Sequence, residues 1–321
     1  MLRLARSPVD EADFANAVLA GLRQPQKTVP ARYFYDTTGS ELFEAITRLP
    51  EYYPTRVEVG LLERHGADIA AIVGAGRAVI EFGSGSSAKT PLLLRTVAAS
   101  AYVPIDISAE FLEMAATDLA AKLPGLPVLP VAADFTGPLK LPAAVAGRAK
   151  LGFFPGSTLG NLAPFAAVDL LRAFAGTLGG DAWLVIGLDL RKDRATLEAA
   201  YNDAAGVTAA FNLNLLRRIN AELGGTIDLD AFRHDAPWNP DLGRIEMHLH
   251  AVRDTRFEVL GEPFAMVAGA TIHTENSHKW TVEEARMLAR AGGWAPHATW
   301  TDPAALYGLH LWRTAGGTLE P

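Results

Sequence analysis

Between residues 61 and 190 the chain alternates short apolar runs with amphipathic stretches, and few folds can satisfy that rhythm. The apolar runs are AVIEF, AYVPID, LPVLPVAADF, LGFFPGS and WLVIGLDL; the intervening stretches are helical in pattern at 58–72, 88–99, 109–122 and 163–177. A strand apolar at every position, not at every second one, needs cover on both faces, and helical connections supply that cover while keeping the strands parallel. The expectation is an α/β protein built on a mostly parallel sheet with helices on both faces.

The rhythm stops near residue 192. Residues 192–242 read as helical and polar-aromatic, RIEMHLHAVRD and AMVAGATIHTENSHKW as strands, EEARMLARAGGW as a helix and ATWTDPAALYGLHLW as a last strand region. The division expected is a sheet domain at 61–192 completed by 282–321, and a second lobe made of 1–60 and 193–281. The N-terminal stretch is dense in rings, with Tyr33, Phe34, Tyr35, Phe43, Tyr52 and Tyr53.

Composition removes several function classes. The 29 basic against 36 acidic residues leave a net charge of −7, which repels a nucleic acid or an anionic membrane unless basic residues are segregated, and none are. With no cysteine there are no disulfides, thiolate metal sites or Cys nucleophiles, and a cytoplasmic setting is expected. No run approaches the roughly 18 apolar residues of a membrane span. The eight histidines show no metal-binding spacing, and His248 and His250, two apart, read as strand neighbours. No metal is expected.

The chemistry concentrates in IEFGSGSSAKT, residues 80–90. Gly83-x-Gly85-x-x-Ala88 resembles a dinucleotide loop, Gly83 to Thr90 nearly matches a P-loop, and Glu81-x-Gly83-x-Gly85, with Ser84 inside the turn, suits S-adenosylmethionine. All three use glycines for a tight turn and the unpaired N–H groups of the helix that follows. The P-loop reading lacks a glycine at Ala88 but gains Asp189 as a possible magnesium-holding acid. Glu81 favours the third ligand, because a carboxylate repels a triphosphate and attracts an ammonium and a sulfonium. Asp106 ends the second strand where a ribose acceptor belongs. Asp134 and Phe135 end the third, where they suit an adenine. Each aspartate alone could equally cap the next helix; an acid at three successive strand ends fits an adenosyl ligand without phosphates better.

At these residues the sequence resembles a family, the S-adenosylmethionine-dependent histidine Nα-methyltransferases of ergothioneine biosynthesis. The pieces that carry the resemblance are FYDTTGSELFEAITRLPEYYPTR (34–56), EFGSGSSAKT (81–90), GSTLGNL (156–162), YNDAAGVTAAFN (201–212), RIEMHL (244–249) and Glu275-Asn276-Ser277. The resemblance implies a class I methyltransferase-like, Rossmann-like sheet with a substrate lobe, S-adenosylmethionine as cofactor, and L-histidine as the small-molecule partner of a monomer.

It further implies that Tyr35, Phe43, Tyr52, Gly156, Asn161 and Tyr201 line the amino-acid site, with Asn161 and Tyr201 at the carboxylate and Tyr35 near the amine. Met247, Glu275 and Ser277 surround the side chain, and Lys89 approaches the cofactor's carboxylate. Alternation along a strand lets Glu275 and Ser277 address one polar ring together, as acceptor and hydroxyl. Taken singly, Glu275 and Ser277 would be a solvent face, Met247 core packing, the aromatic cluster core, and Lys89 an exposed lysine. Tyr35 is the expected catalytic group, easing proton loss from the amine. The alternatives are N-methylation of another aromatic amino acid, a nucleotide hydrolase or kinase, and a binding module without turnover.

Overall fold

The structure, a computed structural model, describes residues 8–85, 89–107, 109–137 and 139–315. Ala88, the weak point of the P-loop reading, lies outside them. The chain forms two compact units, Pro54–Lys192 with His278–Pro321 and Met1–Tyr53 with Asp193–Ser277.

The first unit is a seven-stranded sheet. Its order from one edge is Trp294–Thr301, Tyr307–Thr314, Trp183–Asp189, Lys150–Phe154, Ala78–Phe82, Ala101–Asp106 and Val131–Ala132. The last five of these run parallel, and Tyr307–Thr314 enters antiparallel to Trp183–Asp189. This is the class I, Rossmann-like sheet expected. Two separate apolar clusters lie on it, because the buried strands send alternate side chains to opposite faces. One gathers Ile80, Phe82, Phe154, Phe174 and Trp312; the other gathers Val79, Tyr102, Phe153, Leu61 and Ile69. Phe82 stacks on Phe174 with ring centroids 3.7 Å apart, which places the apolar floor directly beneath the glycine turn that follows.

Two elements differ from the sequence reading. LPVLPVAADF pairs as a strand at Val131–Ala132 and as a single bridge at Val128 with Tyr102, and Pro130, which carries no N–H, separates the two. The helix expected at 58–72 starts earlier and runs Tyr53–Val73.

The second unit has its own sheet, ordered Lys27–Thr28, Thr271–His278, Arg244–Ala251 and Phe232–Asp235, with Trp238–Asn239 also pairing Arg244–Ala251. Along Arg244–Ala251 burial alternates strictly, which puts Ile245, Met247 and Leu249 inside and Arg244, Glu246, His248 and His250 on the other face. Helix Val207–Leu223 carries the buried Phe211, Leu215, Leu216 and Ile219, and packs on helix Thr37–Ile46. The helical expectation for 192–242 holds only at Arg194–Tyr201 and Val207–Leu223; strands of four and two residues at 232–235 and 238–239 are too short to show a period of two. A hairpin, Thr255–Val259 with Glu262–Met266, was also not expected. Its loop, Leu260 and Gly261, has φ of 52° and 76°, the double positive-φ turn that normally announces itself as Asn-Gly. Leu260 hides it.

Candidate active site

The residues singled out above fall into two groups, one in each unit. In the sheet unit the glycine turn follows from its dihedrals. Gly83 and Gly85 have φ of 71° and 41°, a region that penalises any Cβ. A Cβ at Gly83 would also sit 3.4 Å from the Phe135 ring. Gly83 and Ser84 donate their N–H groups to the carbonyl of Ile105, and Gly85 donates to Asp106 Oδ2 at 3.3 Å, so the turn is bonded to the end of the neighbouring strand. Asp134 accepts from the Thr136 N–H at 2.8 Å, holding the turn that presents Phe135.

Glu81 lies deeper than the mouth of the loop. The alternation of its strand turns it toward Tyr102, and it is wholly buried, its Oε2 accepting from Tyr102 Oη at 2.6 Å and Thr90 Oγ1 at 2.7 Å. Burial pushes its carboxyl up to about 7, against the pull of those two bonds and of Lys89. Among the described residues, its Oε1 and the Ser84 hydroxyl are buried without a hydrogen-bond partner. An unfilled acceptor whose ionised form is short of positive charge fits a cationic adenosyl ligand and does not fit a polyphosphate.

Lys89 pairs with Glu58, which also accepts from the Gly156 N–H at 2.9 Å. Asp189, the acid of the magnesium reading, is taken: it is buried between Lys192 at 2.6 Å and Lys279 at 2.8 Å. Burial drives its carboxyl up, but the two ammonium groups outweigh that and hold it below the usual range. Among the described residues no group of three or more His, Asp or Glu side chains could hold a metal ion.

Gly156 and Asn161 belong to this unit as well. The segment between them starts with two left-handed residues, Gly156 at φ 82° and Ser157 at φ 58°, and closes as a short 3₁₀ turn, Thr158–Asn161. It is pinned twice: Ser157 Oγ accepts from the Asp189 N–H at 2.9 Å, and His278 Nδ1 donates to the Gly160 carbonyl at 2.8 Å.

In the second unit the aromatic residues form one continuous chain. Tyr35 meets Phe43 edge-on at 5.7 Å, Phe43 meets Tyr52 at 6.5 Å, Tyr52 meets Tyr201 at 6.3 Å, and the hydroxyls of Tyr201 and Ser277 share a hydrogen bond of 2.7 Å. Tyr35 is 43% exposed whereas Tyr201 is 8% exposed, so the chain runs from an open ring to a buried hydroxyl pair. Asp36 sets its geometry by capping the helix that carries Phe43 and accepting from Asn214 at 2.8 Å. His234 donates to the Tyr201 carbonyl at 2.7 Å and accepts from Asn212, which fixes the other end.

Met247 is buried, and its carbonyl accepts from Thr274 Oγ1 at 3.1 Å; Glu275 is half-buried two residues before Ser277. Sequence reasoning missed Phe211, the buried ring on which Tyr35 (5.8 Å) and Phe43 (6.1 Å) both rest. It also missed Glu58; a phenylalanine and a glutamate inside amphipathic helices carry no local mark.

Comparison with known proteins covers both units. A family described as histidine-specific methyltransferase, SAM-dependent, matches residues 14–314. The chain is 43% identical over 302 residues to the histidine N-alpha-methyltransferase of Mycolicibacterium smegmatis, with 92% of each chain covered. Its likeness to the protein of that name from Mycobacterium tuberculosis is 40% over 301 residues, again 92% of each. Ergothioneine biosynthesis protein 1 of Neurospora crassa is 32% identical over 296 residues, which is 89% of this chain and 33% of that one.

Proposed function

The chain belongs to the S-adenosylmethionine-dependent, histidine-specific methyltransferases, and from that premise we propose that it methylates the α-amino group of L-histidine, as far as the trimethylated betaine, in ergothioneine biosynthesis. The observation that carries this reading is the 43% identity sustained over 92% of both chains, which leaves neither unit outside the likeness. No described helix is long and apolar enough to cross a membrane, and a cytoplasmic monomer suits a small, freely diffusing substrate.

When bound, S-adenosylmethionine supplies a methyl group on a positive sulfur. The chain's part is to hold a neutral amine in line with it, since displacement at a methyl carbon asks for position more than for covalent help. In the sheet unit Gly83, Ser84 and Gly85 present the turn, Asp106 suits the ribose hydroxyls, and Asp134 with Phe135 suits the adenine. Glu81 favours the ligand's positive end and Lys89 its carboxylate.

In the second unit Tyr201 and Ser277 already share a hydrogen bond and are poised to accept a polar substrate in its place. Within this unit Tyr201 suits the amino-acid backbone, and Glu275, Ser277 and Met247 suit the imidazole; within the sheet unit Gly156 and Asn161 keep their assignment to the amino-acid backbone. Most free amine is protonated at neutral pH, and the hydroxyl of Tyr35 is the group assigned to receive that proton's hydrogen bond and ease its loss. The faces of Tyr35, Phe43 and Tyr52 suit the fixed cation that full methylation leaves.

The test is mass spectrometry of L-histidine incubated with the full chain and S-adenosylmethionine. Gain of three methyl groups is the expected result. Unchanged histidine, with methylation of tryptophan or phenylalanine instead, would move the reading to another aromatic amino acid.

A further inference from the structure

Glu58 has no place in the scheme above, yet its carboxylate is among the most deeply placed charges in the sheet unit. It sits in the second turn of helix Tyr53–Val73 and its side chain is 0% exposed. Two segments converge on it. The ammonium of Lys89, which opens the helix after the glycine turn, pairs with Oε2, and the backbone N–H of Gly156 reaches both oxygens, at 3.1 and 2.9 Å.

Room for this arrangement is made by the sheet itself. A Cβ at Gly187, inside strand Trp183–Asp189, would run into Glu58 Oε1 and the Tyr307 hydroxyl. The strand is therefore glycine where the carboxylate passes. A buried ion pair is a poor way to gain stability, because two apolar groups of like volume do as well or better. What it does supply is a fixed position for each partner.

We propose that Glu58 is a positioning residue: a single carboxylate that fixes the Lys89 ammonium and the Gly156 N–H together, and acts on S-adenosylmethionine binding through Lys89. The proposal rests on the assignment of Lys89 to the cofactor made above. A long lysine side chain is flexible, and Glu58 limits it to one pose beside the glycine turn. The same carboxylate orients the start of the Gly156–Asn161 turn, so the segments assigned to cofactor and to amino-acid backbone share one anchor.

The test is titration calorimetry of the full chain with S-adenosylmethionine for the parent, Glu58→Gln, Lys89→Met and the double variant, with thermal melts on the same samples. Each single change weakens binding about tenfold or more, as expected when one partner of a buried charge pair is lost. The double variant binds within about twofold of Lys89→Met, because Glu58 then has nothing left to act through. Glu58→Asp, which keeps the charge, recovers part of the loss.

Parent-like affinity in Glu58→Gln, parent-like affinity in Lys89→Met, or losses that multiply to about a hundredfold in the double variant would each overturn the proposal. If Glu58→Gln does not fold, the double variant, which leaves no lone buried charge, is compared with Lys89→Met alone, and a further tenfold loss overturns it. Calorimetry needs no methyl acceptor, so the outcome is independent of whether histidine is the substrate.

Discussion

The two units are built by different means. The sheet unit uses backbone and buried charge: left-handed glycines at 83 and 85, a carboxylate sealed under the turn at 81, and lysines at 89, 192 and 279 matched to Glu58 and Asp189. The other unit uses rings and hydroxyls, Tyr35 to Phe43 to Tyr52 to Tyr201 to Ser277, resting on Phe211 and grading from exposed to buried. Backbone and charge suit a ligand that is always the same; packed rings, which can be re-cut one side chain at a time, suit the partner that sets specificity.

If that contrast is right, each unit should answer to its own ligand and to pH in its own way. The largest effect is expected at Glu81. Its folded carboxyl, raised to about 7, keeps a proton that the unfolded chain gives up above about 4.5, so stability falls as pH rises through that window and stays low above it. Glu81→Gln removes the penalty. In urea melts without ligand the variant should be more stable than the parent at pH 8 by on the order of 3 kcal/mol, the gap closing toward pH 4.5. Its affinity for S-adenosylmethionine should meanwhile fall. A pH-independent gap would mean that Glu81 is not the strained charge of this unit.

Next in size is Glu275→Ala, which should lower the preference for histidine over phenylalanine in kcat/KM by about a hundredfold while leaving cofactor affinity alone. An intact preference would remove Glu275 from the specificity group. Tyr201→Phe, which deletes the bond to Ser277, should raise the KM for histidine about tenfold, again without touching the cofactor. A change in cofactor affinity of the same size would erase the division of labour.

The smallest effect, taken over the single pH unit from about 6.5 to 5.5, concerns His310, buried in strand Tyr307–Thr314, where burial first and Arg286 second push its imidazole down to about 3. Below about pH 6.5 the unfolded chain takes a proton that the folded chain refuses, so stability declines as pH falls from 6.5 toward 3. Between pH 6.5 and 5.5 that amounts to about 1 kcal/mol, and His310→Gln should flatten the decline in the same melts.

The contrast also explains what could be read in advance. The sheet unit announces itself locally: an apolar strand, a glycine turn and an acid at a strand end lie within a few residues of one another, and their dihedral and charge requirements select the residue types. The second unit does not. Tyr201 and Ser277 are far apart in sequence, and only the resemblance named both; Phe211 follows the spacing of any amphipathic helix. Leu260 occupies a backbone position that Asn would have advertised. Even in the sheet unit Glu58 escaped notice, because its burial depends on Gly187 and Gly156, which lie far from it along the chain. The depth of Glu81 is not legible either, since Tyr102 becomes its neighbour only through strand pairing and Thr90 only where the next helix starts.

The buried trio of Asp189, Lys192 and Lys279 bears on how the chain is threaded. Leu190 and Trp280 pair side by side, the Arg191 N–H bonds the Trp280 carbonyl, and the two lysines share one aspartate, so the excursion Asp193–Ser277 leaves the sheet and returns to it at the same spot. Seen from the sheet, that segment is a cassette whose two ends are stapled together by charge. Closing a loop costs entropy that grows only with the logarithm of its length, so joined ends of this kind hold the entry and exit of the excursion together at little extra cost for its length.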